Sequence, residues 1–169
     1  MNAQQNAFLK SVVPAAQAAQ RKWSVPASVT IAQAILESGW GASALARKAN
    51  NFFGIKAVAH ANPDGYMEFP TTEFVDGRRL TEMAKFAHYA SPVDSFDAHA
   101  VLLSLTARYK PAMAAAGDPS RFAAELQLCG YSTNPQYATE LRKLIAEFDL
   151  IQYDIPPDGP AAAAREVAA

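Results

Sequence analysis

Apolar residues recur at helical spacing over both ends of the chain and switch to an alternating, β-like pattern only in the middle. In residues 2–22 the apolar positions Phe8, Leu9, Val12, Val13, Ala16 and Ala19 form one stripe. Pro14 interrupts it. Proline lacks an N–H and clashes with the carbonyl four residues back, so it belongs in the first turn of a second helix, and two helices are predicted here. The next helix is predicted over residues 26–38, through Val29, Ile31, Ala32, Ile35 and Leu36, with Gly39 as its left-handed stop. Residues 42–49 suit a further short helix.

Between residues 66 and 89 aromatic and β-branched residues flank Asp76-Gly77, a strong hairpin-turn signal. Residues 68–75 and 78–89 therefore read as antiparallel ribbon. Helix resumes after Ser91-Pro92-Val93-Asp94, where Ser91 can cap, Pro92 fits the first turn and Asp94 complements the helix dipole. That helix is expected to end near Lys110-Pro111. Asp118-Pro119 repeats the start signal, Gly130 ends the helix that follows, and Asn134-Pro135 opens a last one through Tyr137, Leu141, Leu144, Ile145 and Phe148. No apolar period continues past Tyr153. Residues 1–153 thus read as one domain and residues 154–169 as a mobile tail.

The layout is a mainly helical α+β domain with a small antiparallel β-hairpin insertion, an arrangement resembling lysozymes. The 169 residues suffice for a hydrophobic core without metals or disulfides. A net charge of −1 leaves no electrostatic footprint for nucleic acid or an anionic membrane. The single Cys129 lies in an apolar run with Leu126 and Leu128 and reads as a small buried hydrophobe. The N-terminal MNAQQNAFLK is not a secretory signal, and no apolar run approaches the length of a membrane span, so no membrane insertion is expected. His60, His88 and His99 lack metal-ligand spacing, and no metal or other cofactor is predicted.

Glu37 is the candidate for chemistry. It ends a strongly apolar helix directly before Ser38-Gly39-Trp40-Gly41, where two glycines permit a tight turn and an aromatic ring offers an apolar wall. Desolvation there disfavours the ionised carboxylate, so the acid can stay protonated near neutral pH, as a glycosidase requires. A carboxylate at a helix C-terminus is also electrostatically unfavourable and wants a reason. On this local pattern alone, a solvated helix-end residue is an equally good reading.

The runs AQAILESGWG (residues 32–41), NNFFGIKA (50–57), TTEF-DG (71–77), KF-HYASPVDSFDAHAVLL (85–103) and GYSTNPQYATEL (130–141) resemble, in order and spacing, the glucosaminidase family of peptidoglycan hydrolases, glycoside hydrolase family 73. The resemblance spans residues 8–148. It implies that Glu37 is the general acid and Glu73, on the ribbon, the second carboxylate, with Glu68 and Asp76 as rivals. It also implies that Tyr131 lies near the reacting sugar, where its phenol could meet the N-acetyl group. Asn50, Asn51 and Phe53 are candidate sugar contacts, against the alternative of a turn and a buried core; Trp40 is expected to line the cleft. Trp23 reads as core, and Tyr137 as packing the last helix. Two positions depart from the family: Ala87, where an arginine is frequent, and Asn134, where an aspartate is frequent.

The resemblance implies endo-β-N-acetylglucosaminidase activity on peptidoglycan glycan strands. N-acetylmuramidase or lytic transglycosylase action on the same polymer, and a non-catalytic wall-binding or assembly factor, stay open. A monomer acting in the periplasm or cell wall is expected, delivered through holin pores of a phage or by flagellar or other export machinery.

Overall fold

The computed structural model describes residues 1–57, 64–75 and 78–156, without the side chains of residues 72–75 and 78–80. Seven α-helices and one two-stranded ribbon occur among them: α1 Ala3–Trp23, α2 Ala27–Ser38, α3 Ala44–Ala49, β1 Tyr66–Val75, β2 Arg78–Ala87, α4 Pro92–Leu105, α5 Lys110–Ala114, α6 Pro119–Leu128 and α7 Tyr137–Glu147.

α2 is the central element. Every residue from Ala27 to Ile35 is buried, as expected of a helix that is apolar nearly all round. Its few polar side chains are bonded within the fold: Thr30 Oγ1 donates to the Pro26 carbonyl and Ser38 Oγ to that of Ala34. α1 packs on both α2 and α4, while α6 and α7 pack on each other and on α2. Phe96, Ala100 and Leu103 of α4, Phe122 and Leu126 of α6, and Leu141 of α7 are all buried in the same core.

α1 is one unbroken helix with Pro14 in its interior, not the two helices that the proline suggested. Pro14 is exposed, so the carbonyl it strips of a partner faces water. The stripe Phe8, Leu9, Val12, Ala15, Ala16 and Ala19 stays continuous and buried across it. Burial of six apolar side chains outweighs one lost hydrogen bond and one steric clash. Pro14→Ala is therefore expected to stabilise the protein by about 1–2 kcal/mol, since the interior-helix penalty is only partly offset by proline's restriction of the unfolded chain. Urea unfolding reads this directly; a lower midpoint would show that Pro14 contributes packing instead.

Two other boundaries differ from expectation. α4 stops at Leu105, because Thr106 turns extended (φ −80°, ψ 120°), and Lys110-Pro111 begins α5 rather than ending α4. Pro111 sits in a first turn, where its missing N–H has no role. The last helix starts at Tyr137; before it, the Asn134 side chain accepts from the Gln136 N–H in a turn.

The N-terminus of α2 has no cap of its own, since Pro26 offers no side-chain acceptor. Asp154 supplies one from the other end of the chain. Its carboxylate accepts from Ser28 N and Ser28 Oγ, each at 2.7 Å, where the helix dipole also favours negative charge. The Gln20 amide pairs with Ile155 in both directions. Residues 154 and 155, read from sequence as the start of the tail, are thus part of the folded body; residues 157–169 lie outside the described residues.

β1 and β2 pair antiparallel from Tyr66↔Ala87 to Val75↔Arg78, the register a two-residue connection requires. Asp76-Gly77 itself lies outside the described residues. An isolated two-stranded ribbon is marginal in water, so its base must be tied down. Ala57 N bonds Lys85 O, Ala87 N bonds Ile55 O, and Asn51 closes the joint. Buried Asn51 donates to the Ile55 and Ala87 carbonyls at 2.8 and 2.9 Å and accepts from Ile55 N at 3.0 Å.

Candidate active site

Glu37 lies one residue before the end of α2, and the chain reverses immediately after it. Gly39, Trp40 and Gly41 have successive φ values of 58°, 59° and 72°. A tryptophan in this left-handed region is strained, and such strain persists only where surrounding contacts over-determine it. The contacts are visible: the indole meets Phe8 edge-on at 5.7 Å and Phe148 at 4.8 Å. Ser38 Oγ further locks the turn by accepting from Gly41 N at 2.8 Å.

The Glu37 side chain is open to solvent on one side, yet its carboxyl is held above the usual carboxylate range. Desolvation is the main cause, and a hydrogen bond with Tyr137 opposes it in part. Two tyrosines stand near the carboxyl. Tyr131 and Tyr137 stack with ring centres 5.5 Å apart. Burial pushes both phenols well above their ordinary range, so both carry their protons at physiological pH. The Tyr131 hydroxyl is close enough to feel the Glu37 charge.

Behind each phenol stands a buried polar side chain. Gln33, one helical turn before Glu37 on the same face of α2, donates its Nε2–H to Tyr137 Oη at 2.9 Å. His99 Nε2 lies 2.9 Å from Tyr131 Oη. His99 is fully buried on α4, its ring stacked on Phe53 at 3.9 Å and 14°. Burial pushes its pKa down to about 3, so it is neutral.

The structure therefore brings together Glu37 and Tyr131 from the sequence reading and adds Tyr137, Gln33 and His99. Tyr137 does more than pack α7, since its hydroxyl, which accepts from Gln33, lies close enough to Glu37 to lower the pKa of the acid. Glu73 occupies β1 opposite Leu80, with its side chain beyond description. Of the rival carboxylates, Glu68 is exposed opposite Lys85, and Asp76 is outside the described residues.

The four expected sugar contacts have these partners within the fold. Asn51 is the ribbon anchor, with both ends of its amide already bonded. Phe53 is buried against His99 and Phe96. Asn50 ends α3 in the left-handed region and donates to the Tyr89 and Ala90 carbonyls, the turn-forming alternative. Trp40 wedges between Phe8 and Phe148 and borders a shallow hollow of about 490 Å³, shared with Phe52 and Arg47, that Glu37 does not line. Two tyrosines that sequence distance had hidden, Tyr131 and Tyr137, also act on the Glu37 carboxyl. Among the other expectations, Trp23 packs against the core with its indole N–H on Asp97. Cys129 is half-buried and free, and Leu128 beside it is exposed.

A mainly helical, lysozyme-like body with a small ribbon, and a partly desolvated carboxyl at the end of its central helix, defines the class as glycosidase-like. The chain belongs to the glucosaminidase family: the family described as mannosyl-glycoprotein endo-beta-N-acetylglucosaminidase matches residues 13–150. It is 40% identical to the exo-glucosaminidase LytG of Bacillus subtilis over 89% of its own length and 54% of that protein's. The catalytic domain of the autolysin Auto from Listeria monocytogenes superposes with a TM-score of 0.80 at 32% identity, covering 91% of this chain and 89% of that one. A truncated glycoside hydrolase domain of Salmonella typhimurium FlgJ gives 0.71 at 33% identity, covering 86% and 97%. The chain spans about half or less of the length of the curated relatives it matches, 54% of LytG and 39% of Pseudomonas aeruginosa FlgJ.

Proposed function

We propose that this chain hydrolyses β-1,4 glycosidic bonds of the peptidoglycan glycan strand as an endo-β-N-acetylglucosaminidase, with Glu37 as general acid. The observation that carries the reading is the Glu37 carboxyl itself, open to solvent on one side yet biased toward its protonated form by desolvation. A protonated carboxyl can give its proton to the leaving oxygen as the bond breaks. Tyr137, donating to one carboxyl oxygen, leaves the other free to carry the proton toward the sugar. Tyr131 positions the N-acetyl group. Glu73 stabilises the developing positive charge on the sugar ring or activates the attacking water.

The exposure of Glu37 supports the endo mode, since an exposed acid admits the interior of a long chain. Names of relatives support the polymer: several are peptidoglycan hydrolases or autolysins. The site of action would be the cell wall. Among the described residues no helix is long and apolar enough to cross a membrane.

The test is product analysis of digested peptidoglycan. Reducing-end N-acetylglucosamine on fragments of several lengths is expected. Reducing-end N-acetylmuramic acid would reassign the bond, 1,6-anhydromuramic ends would make the enzyme a transglycosylase, and release of single terminal sugars would make it exo-acting.

A further inference from the structure

Among the described residues two buried side-chain polar atoms have no hydrogen-bond partner, and each stands behind one of the two site tyrosines: His99 Nδ1 and Gln33 Oε1. The same physical choice governs both. A neutral histidine carries one N–H. Placed on Nδ1, that hydrogen would be a buried donor with no acceptor, the rarer and costlier kind of orphan. Placed on Nε2, it points at Tyr131 Oη, 2.9 Å away, and only a lone pair is left unpartnered. Gln33 obeys the same rule, with its N–H₂ on Tyr137 and its oxygen left over. Stacking on Phe53 fixes the plane of the His99 ring, so the Nε2–H direction is fixed as well.

A phenol whose oxygen already accepts a hydrogen bond sends its own proton elsewhere. For Tyr137 the recipient is Glu37. For Tyr131 the hydroxyl hydrogen is directed away from His99, toward the side where Tyr137 and Glu37 lie. We propose that His99 is a positioning residue for catalysis, its Nε2–H holding the Tyr131 hydroxyl as a hydrogen-bond donor to a carbonyl oxygen of the bound amino sugar. This rests on the glycosidase reading above and adds a polarity to it: the ligand group facing Tyr131 must accept, as an acetamido oxygen does and an ammonium cannot.

The tautomer is measured first, on the whole protein without substrate. Long-range ¹H–¹⁵N correlation with labelled histidine, assigned by comparison with the His99→Gln variant, is expected to show Nε2–H, unchanged between about pH 5 and pH 8. Nδ1–H, or an imidazolium in that range, overturns the proposal. Activity then tests the role by a double-mutant cycle with Tyr131→Phe. His99→Met is expected to lower kcat/KM about tenfold, the worth of one hydrogen bond. Glutamine, which keeps an N–H donor, recovers most of that loss, and neither change costs anything further in the Tyr131→Phe background. Equal losses with and without the Tyr131 hydroxyl would reduce His99 to a packing residue. The glycosidase reading fails separately, by a Glu37 variant that remains active, and the tautomer measurement does not depend on it.

Discussion

Glu37→Gln is expected to lower turnover of peptidoglycan by about 10²–10⁴-fold, the usual contribution of a positioned general acid, while the fold stays intact. Glutamine preserves shape and can still accept from Tyr137, so the loss reports the missing proton alone. Circular dichroism and zymography on the same preparation check both halves; clearing at the wild-type rate would remove Glu37 from the mechanism. A second consequence follows from the direction of its pKa. The folded state holds the proton more tightly than the unfolded chain, so the group favours folding at pH below its ordinary carboxylate value. That advantage is lost as pH rises through the folded value. At pH above the raised folded value the ionised, partly desolvated Glu37 therefore costs stability, and Glu37→Gln is expected to melt higher than wild type there but not in acid. Activity follows the same proton: its basic limb falls as pH rises through the raised Glu37 value, which desolvation moves toward neutrality.

Asn51→Ala is expected to have the largest effect on stability. The substitution strips partners from Ile55 N and Ala87 O and one of two partners from Ile55 O, which keeps the Ala87 N–H, all at the joint between the helical body and the ribbon. Unsatisfied buried groups cost about 1–3 kcal/mol each and do not add fully, so a loss of about 3–4 kcal/mol is expected. Glu73 rides on this ribbon, and turnover is expected to fall even at temperatures where the helical body remains folded. Denaturant unfolding together with hydrogen exchange of the β1 and β2 amides provides the measurement. A small, uniform loss of stability with full ribbon protection would show that the Ile55 and Ala87 main-chain bonds suffice without Asn51. The prediction also separates anchor from sugar contact: a sugar-binding asparagine would change KM and leave ribbon protection alone.

Much of this architecture is written locally. Gly39 ends α2 in the left-handed region, Ser91-Pro92 and Asp118-Pro119 start α4 and α6, and the interval around Asp76-Gly77 sets the ribbon register. These signals act within a few residues, through caps, fixed φ angles and turn geometry, so no knowledge of the partners is needed to read them. Glu37 belongs with them, since an acid closing an apolar helix before a glycine-flanked turn is visible in one dimension. His99 also left a trace, lying at i+3 from Phe96 and between it and Ala100 and Leu103 on the buried face of α4. Gln33 left another, as an amide in a helix otherwise apolar and one turn from Glu37.

Where the local signal failed, a distant partner outweighed it. Pro14 would break a helix in isolation, and α1 continues because six side chains bury against the rest of the body. Asp154 resembled the first residue of a tail until the uncapped N-terminus of α2 gave its carboxylate two donors.

What the sequence alone determined is which residues form helices and where most of them start and stop, because each depends on neighbours a few positions away; it also offered Glu37 as the candidate acid. Only the tertiary structure decided what surrounds that acid. Gln33 and Tyr137 are 104 positions apart, His99 and Tyr131 are 32 apart, and the phenol, amide and imidazole that shape Glu37 meet only once α2, α4 and α7 have packed. Hydrogen-bond polarity between such groups follows from which atoms burial leaves without water, and burial is a property of the assembled core.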